Sequence, residues 1–461
     1  MAIKRLRIEK IGGTSMSNFG DITDTVILKD PNDVYNRIYV VSAYGGITDD
    51  LLEHKKSKKT GIYSQFEKHQ NYKLSIQKLK EKLFKINKGF EACGLNLKEA
   101  NQFISDRIDQ AVKVLESMRV VLSSGYVNRN ELLLSAREVL TSLGEVHSAY
   151  NSTNILKNRG YHSTFIDLSG WENGRERTID ERIRKAFQKV DPSKTICFVT
   201  GYTKGTEGIM REFDRGYSEV TFSKIAIHLK VKEVIIHKEF HLCSGDPEIL
   251  GINKVQPVGY TNSDVADQLA DVDMEAIHPK ASKALETAGI SIRVKNAFEP
   301  DHEGTLITKN YVCPESRIEM ITGSSAVTSV SVHDTRMVGE VGFDLQIMQV
   351  LARYKVSFIC KMTNANTIEF IVKDKEFSKA MIRDLKVDFE KVTLQKVAIV
   401  CAIGSNIAKP GILAMATTAL AKKGINILAV SQTSRQTNMQ FIVRRGEFIA
   451  AQKVLHREFC E

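Results

Sequence analysis

The last third of the chain is an internal repeat, and this constrains the fold more than any other feature of the sequence. Gly342-Phe343 opens a stretch that puts Phe343, Ile347, Val350 and Leu351 on one helical face. Gly411-Ile412 opens another, with Ile412, Met415, Ala416, Ala419 and Leu420 in the same phase. Each stretch leads to an apolar run (356–360; 425–430), a polar turn, and a strand ending Phe-Ile-Val (370–372; 441–443). Gly342 and Gly411 are 69 residues apart and Phe370 and Phe441 are 71 apart, so the copies register to within two residues. Pro410 suits the first turn of the second helix and Gly424 its C-terminal cap. The pattern predicts two copies of a small α+β module. Beside a catalytic-looking domain, such a pair points to ligand sensing or dimerisation, with plain dimer packing as the alternative.

Upstream the periodicity changes. Residues 3–10 and 37–44 read as strands, each running into a glycine-containing turn, Gly12-Gly13-Thr14-Ser15 and Gly45-Gly46. A polar, Lys-rich stretch with helical spacing follows, in which Ile108, Val112, Leu115 and Met118 form one apolar stripe. Short apolar runs then recur at 164–168, 195–200, 233–237 and 290–294, with helical segments between them. Strands separated by helices predict a mainly parallel sheet sandwiched by helices, with ligands at the strand C-terminal ends. This regime ends near Thr308, and residues 309–316, containing Cys313-Pro314, read as a hinge.

The 461 residues, 42% hydrophobic and 26% charged with only 8 Pro, describe an ordinary globular chain of several cores. A net charge of +10 spread over that surface suits anionic ligands such as nucleotides. Zinc-finger spacing, a basic helix with heptads and an RNA-binding aromatic motif are all missing, so nucleic acid is not the expected partner. No apolar run reaches the ~18–20 residues of a membrane span. The seven cysteines lie far apart without a C-x-x-C, as expected for reduced thiols in a cytoplasmic protein.

Chemistry concentrates in Lys10-Ile11-Gly12-Gly13-Thr14-Ser15. A glycine pair after a strand lets backbone N–H groups approach phosphate, and Lys10 can set an ammonium against a phosphoryl group. A plain strand-to-helix turn fits the same residues. The string is neither a P-loop nor a dinucleotide fingerprint. His237 and His241 have the spacing of a helical zinc pair with Cys243 nearby, yet a strand running into a loop does not bring them onto one face, and no metal site is expected. His278 before Pro279 reads as a packing or cap residue, and the run of Lys55, Lys56, Lys58 and Lys59 as a solvated surface.

The string K-I-G-G-T-S, followed by Ser42-Ala43-Tyr44-Gly45-Gly46-Ile47-Thr48-Asp49, resembles the aspartate kinases of the amino-acid kinase superfamily, whose usual patterns are K-F-G-G-T-S and S-A-x-x-G-x-T-[ND]-x-L. The likeness continues through Ser135-Ala136-Arg137-Glu138, Gly201-Tyr202, Asp214-Arg215-Gly216-Tyr217-Ser218-Glu219, Asp246-Pro247 and Ile277-His278-Pro279. It implies the amino-acid kinase fold over residues 1–308, then two ACT modules at 317–392 and 393–461, with 317–322 available to the second module. It also implies ATP and L-aspartate as substrates, Mg²⁺ carried on the ATP phosphates, and a homodimer or higher homo-oligomer. By the same resemblance Lys10, Gly12 and Gly13 handle the transferring phosphoryl group. Ser42 touches the nucleotide phosphates, Thr48 and Glu138 hold the amino end of aspartate, Arg215 clamps its α-carboxylate, and Ser218 sits beside it.

Several positions depart from the family pattern. In place of G-R-G-G-S-D the chain has Tyr217 for a Gly and Glu219 for the Asp. The nucleotide-loop pattern W-T-D-V-x-G-[IV]-[YF]-T falls on residues 236–244, implying nucleotide contacts at His237, Lys238 and Cys243, with Asp246 just beyond. Lys238 stands at the usual acid, and Glu275 stands at the usual Lys of G-A-K-V-L-H-P. An exchange that keeps the charge sum predicts that Lys238 and Glu275 face each other across the ATP site. An amino-acid effector at the ACT pair, between 334–343 and a neighbouring module, is left open by residues 361–366, which do not follow the usual lysine-sensing pattern. Two rivals stand beside this reading: a kinase for another carboxylate, and a non-catalytic amino-acid sensor that kept the kinase shell.

Overall fold

Alternating apolar runs and helices produce a parallel sheet in the first of two units. The computed structural model describes residues 6–54, 59–171, 175–213, 216–272, 274 and 276–461. The first unit comprises Met1–His241 and Lys280–Leu306, and the second Leu242–Pro279 and Ile307–Glu461.

In the first unit, strands β1 (Arg7–Ile11), β2 (Arg37–Val41), β3 (Ser163–Ile166), β4 (Ile196–Thr200), β5 (Glu233–Lys238) and β6 (Ser291–Asn296) lie in the order β3-β4-β2-β1-β5-β6. Every pairing among them is parallel. β2 and β4 are buried along their whole length, as expected of a sheet covered on both faces. The helices Arg129–Asn158 and Tyr217–His228 pack on this sheet. The predicted stripe lies in the helix Leu97–Ser123, where Ile108 and Leu115 are buried and Val112 and Met118 half-buried.

The second unit contains the repeat. Strands β7 (Met320–His333), β8 (Cys360–Thr363), β9 (Thr367–Lys373), β10 (Lys391–Ile403), β11 (Ile427–Gln432) and β12 (Asn438–Arg444) form one sheet in the order β8-β9-β7-β10-β12-β11. All its pairings are antiparallel. The two repeat helices, Phe343–Arg353 and Ile412–Lys422, each follow a glycine held at positive φ, Gly342 at 103° and Gly411 at 94°. Only glycine takes that conformation without strain, which explains why both copies begin with one. Met320, Ile321 and Thr322 pair with Ile403, Ala402 and Cys401, so the strand from before the first copy lies against the second.

Two local readings differ from the structure. The strand expected at 356–360 starts only at Cys360, because the chain turns first through Lys355 at φ 54° and Val356 N–H returns to Leu351 O. Pro410 precedes the glycine cap instead of entering the helix. Residues 242–279, read with the kinase segment, belong to the second unit. Leu242, Val265, Leu269 and Val272 bury their side chains with Met320, Val327, Ile399 and Ile442. Among the described residues, none of the seven cysteines forms a disulfide. Among the described residues, no helix is long and apolar enough to cross a membrane.

Candidate active site

Where β1 ends, the side chains alternate between the two faces of the sheet, and this alternation sorts the predicted residues. Lys10 is paired in register with Ile236, which puts Lys10, Ile236 and Lys238 on one face. Glu9, Ile11, Ile235 and His237 lie on the other.

On the Lys10 face there is a cavity of about 360 Å³, lined by Lys10, Gly13, Ser42, Thr48, Glu145, Tyr217, Ser218 and Glu219, among others. Lys10 is 8% exposed, and its Nζ donates to Glu219 Oε1 at 2.9 Å. The longer side chain of Glu219 thus reaches the lysine from the first turn of the helix Tyr217–His228. Gly13 approaches the backbone so closely that a Cβ there would lie 2.8 Å from Ala43 O. The Gly12 N–H points to His237 O at 3.4 Å. Ser42 N–H donates to Ile11 O at 3.1 Å, holding the β2 turn against the end of β1. Gly201 leaves room for Ser218, since a Cβ there would lie 2.7 Å from its Oγ.

No motif singles out Glu145, which sits mid-way along the helix Arg129–Asn158 and is 2% exposed. Its Oε1 accepts a 2.9 Å hydrogen bond from the Tyr217 hydroxyl, and its Oε2 has no well-formed hydrogen bond among the described residues. Burial pushes its carboxyl up to about 7, against the pull of the Tyr217 hydroxyl, the nearby backbone and the Lys10 charge. The sequence signal for it is Gly144, a poor helix former in the middle of a long helix. A Cβ at Gly144 would lie 2.5 Å from Ala43 Cβ, so glycine lets the helix touch the cavity wall there.

Glu138, two turns earlier on that helix, lines a different cavity of about 380 Å³ with Ser135, Trp171 and Tyr202. Its Oε1 accepts the Met210 N–H at 3.2 Å, and Tyr202 is a further hydrogen-bond partner. Burial raises its pKa despite those bonds.

His237 faces away from Lys10. Its Nε2 is 2.7 Å from Glu9 Oε2, and Arg37 grips the same carboxylate through Nε at 2.6 Å and Nη2 at 3.0 Å. Burial alone would raise the Glu9 pKa, but the Arg37 charge and the hydrogen bonds from His237 and Arg37 hold it far below the usual carboxylate range. His241 pairs instead with Glu299 at 3.2 Å. Among the described residues, no group of three or more His, Cys, Asp or Glu could hold a metal ion.

Two further predicted nucleotide residues fall outside the first unit. Cys243 and Asp246 belong to the second unit, where Cys243 forms an antiparallel bridge with Pro257 and Asp246 caps Pro247–Leu250 by accepting the Glu248 N–H at 2.8 Å. Arg215 and Glu275, and with Glu275 its pairing to Lys238, lie outside the described residues, as do Lys55, Lys56 and Lys58.

Comparison with known proteins matches residues 5–296 to the amino acid kinase family and residues 400–459 to an ACT domain. Aspartate kinase Ask_Ect of Stutzerimonas stutzeri is 40% identical over 98% of this chain and 97% of its own length. Aspartokinase 1 of Arabidopsis thaliana, a chloroplastic protein, is 28% identical over 98% of this chain and 80% of its own. Among solved structures, E. coli aspartokinase III in complex with aspartate and ADP superposes with a TM-score of 0.74 at 17% identity, covering 99% of this chain and 100% of that one.

Proposed function

The chain belongs to the amino acid kinase family, and within it to the aspartate kinases; on that premise we propose that it transfers the γ-phosphoryl group of ATP to the β-carboxylate of L-aspartate, giving ADP and 4-phospho-L-aspartate. The observation that carries this reading is the single cavity in which the Lys10–Glu219 pair, the Gly13 backbone, Ser42, Thr48, Ser218 and Glu145 meet.

Phosphoryl transfer to a carboxylate needs positioning and charge neutralisation, not a protein nucleophile. In this reading Lys10 neutralises the phosphoryl group in transfer, Glu219 aims Lys10, and the Gly12-Gly13 turn lets phosphate oxygens approach the backbone. Ser42 meets the nucleotide phosphates and Lys238, on the same face of the sheet, lies toward the nucleotide. Thr48 and Ser218 line the aspartate subsite, and Arg215 takes its α-carboxylate. Glu145 takes over the role that the family resemblance gives to Glu138, because Glu145 faces this cavity and Glu138 faces the neighbouring one. Mg²⁺ would arrive on the nucleotide, supplying charge neutralisation there.

The chain divides functionally at 1–308, 317–392 and 393–461, with the two ACT modules taking a small amino-acid effector. Val338, Val341 and Leu345 are exposed beside the first module's glycine cap, which supports assembly with a second copy through that region. The protein works in the cytoplasm in this reading.

The test is ATP-dependent acyl-hydroxamate formation with Mg²⁺, trapping the acyl phosphate with hydroxylamine, with L-aspartate and L-glutamate run in parallel. Signal with aspartate is the expected result. Signal with glutamate alone would reassign the substrate, and no signal from folded protein would favour a sensor.

A further inference from the structure

We propose that Tyr217 is a positioning residue for Glu145, its hydroxyl fixing one carboxylate oxygen so that the other is presented to the substrate's ammonium group. This rests on the aspartate kinase reading above and assigns a task to a residue that the family pattern, with glycine at that place, does not supply.

Tyr217 is the first residue of the helix Tyr217–His228, directly after Gly216 at φ 83°. That start brings the ring to the cavity with 4% exposure. The ring is itself braced. It packs edge-on against Tyr202, with centroids 6.1 Å apart and planes at 76°, and Tyr202 is hydrogen-bonded to Glu138. The carboxylate that the family resemblance puts in the substrate site therefore supports the site from behind.

The charged and titratable groups that line this cavity with Glu145 come from three places: Lys10 from β1, Tyr44 and Asp49 from the segment after β2, and Tyr217 and Glu219 from the helix Tyr217–His228. Lys10 is engaged by Glu219 at 2.9 Å, and Tyr217 occupies Oε1 of Glu145. Among the described residues no well-formed hydrogen bond reaches Oε2, although the side chain is almost fully buried and the Ala43 and Glu145 backbone lies close enough to favour the charged form. A buried acceptor without a donor carries a desolvation penalty, and an ammonium group of a ligand would relieve it with a charge-assisted bond. A free-swinging carboxylate would lose rotamer entropy on binding; one pinned by Tyr217 has already lost it. A glycine at 217 could make no such bond.

The test uses the full-length protein, comparing wild type, Tyr217→Phe, Glu145→Gln and the double variant in the hydroxamate assay across pH. Tyr217→Phe keeps the ring and removes only the hydroxyl. We expect it to raise the aspartate KM about 5–10-fold with kcat and the ATP KM within about 2-fold, a loss of one hydrogen bond to a charged group. The acid limb of kcat/KM for aspartate should move to higher pH, since Glu145 loses a donor that favours its charged form. In the Glu145→Gln background the same change should alter the aspartate KM by less than about 2-fold, because residues acting through one another are not additive.

An unchanged KM and acid limb in Tyr217→Phe would overturn the inference, as would an equal effect with and without Glu145. Tyr217→Met is measured beside it, with the same KM and pH shifts expected, so that if one variant folds poorly the other still decides between the two outcomes. Wild-type protein that makes no hydroxamate from aspartate would overturn the assigned function, and the inference would fall with it; wild type active but Tyr217→Phe unaltered would overturn the inference alone.

Discussion

Lys10 and Glu219 are joined by a 2.9 Å ion pair although neither is more than 8% exposed. One comes from the end of β1 and the other from the first turn of the helix Tyr217–His228, so the pair ties the two elements together at the cavity. An ammonium held by one carboxylate is aimed, and it still carries the charge that a phosphoryl group in transfer requires.

Lys10→Ala should therefore lower kcat about 100- to 1,000-fold while changing the aspartate KM by less than about 5-fold. Glu219→Gln keeps the shape but removes the charge that aims Lys10, and should lower kcat about 10-fold. Steady-state hydroxamate kinetics separate the two. Equal losses in kcat from both would mean that Glu219 touches the reacting groups directly.

Glu145 sets a pH limit. Its carboxyl, pushed by burial to about 7, must be charged to hold an ammonium, so kcat/KM for aspartate should fall as pH drops below about 7. The stability consequence has the opposite sign. A carboxyl whose folded pKa lies above its unfolded value binds more protons when folded, so stability declines as pH rises from the unfolded value of 4.5 through about 7. Glu145→Gln should abolish the acid limb and melt higher than wild type at pH 8, by an amount on the order of 1–3 kcal/mol. Thermal melts at pH 5 and pH 8 check this: the variant's advantage should appear only at the higher pH.

The group behind the sheet makes a contrasting case. Glu9, Arg37 and His237 form a buried set in which one carboxylate accepts three bonds. Arg37→Met would strand Glu9 as a buried charge and should destabilise the first unit by about 3–5 kcal/mol. His237→Ala should lower the melting temperature yet leave the ATP KM within about 2-fold, because the imidazole faces away from Lys10. A tenfold rise in that KM would restore His237 to the nucleotide site.

What the sequence made legible was periodicity. The repeat helices begin 69 residues apart as the glycine spacing indicated, and strands β1 to β6 lie within a few residues of their apolar runs. Side-chain facing was harder to read. His237 entered the nucleotide reading through its place in a loop pattern, whereas strand alternation, visible in the register with Ile11, turns it away. Glu138 and Glu145 are two helical turns apart and both are plain carboxylates on the same helix. Which of them meets the Lys10 cavity depends on long-range contacts with residues 42–48 that no local pattern encodes. The Leu242–Pro279 segment joined the second unit for the same reason: its apolar face matches a sheet more than forty residues downstream.

Gly144 is where such a long-range contact left a mark in the sequence. Alanine is favoured over glycine by about 1 kcal/mol inside an ordinary helix, so a glycine at this position signals that something presses on the backbone. The thing pressing is Ala43, whose Cβ would be 2.5 Å from a Cβ at 144, with Ile47 Cγ2 at 3.6 Å. Gly144→Ala must move either the helix that carries Glu145 or the loop that carries Ser42 and Thr48. A displacement of the order of 1 Å at a positioning group costs about 100-fold in rate, so kcat/KM for aspartate should fall between about 10- and 100-fold. Gly89→Ala is the control. It changes a helical glycine with nothing within 4 Å of the added Cβ, and should leave the kinetics unchanged and the melting temperature the same or slightly higher. If Gly144→Ala behaved like Gly89→Ala, the contact between this helix and the 42–48 loop would not be what holds Glu145 against the substrate.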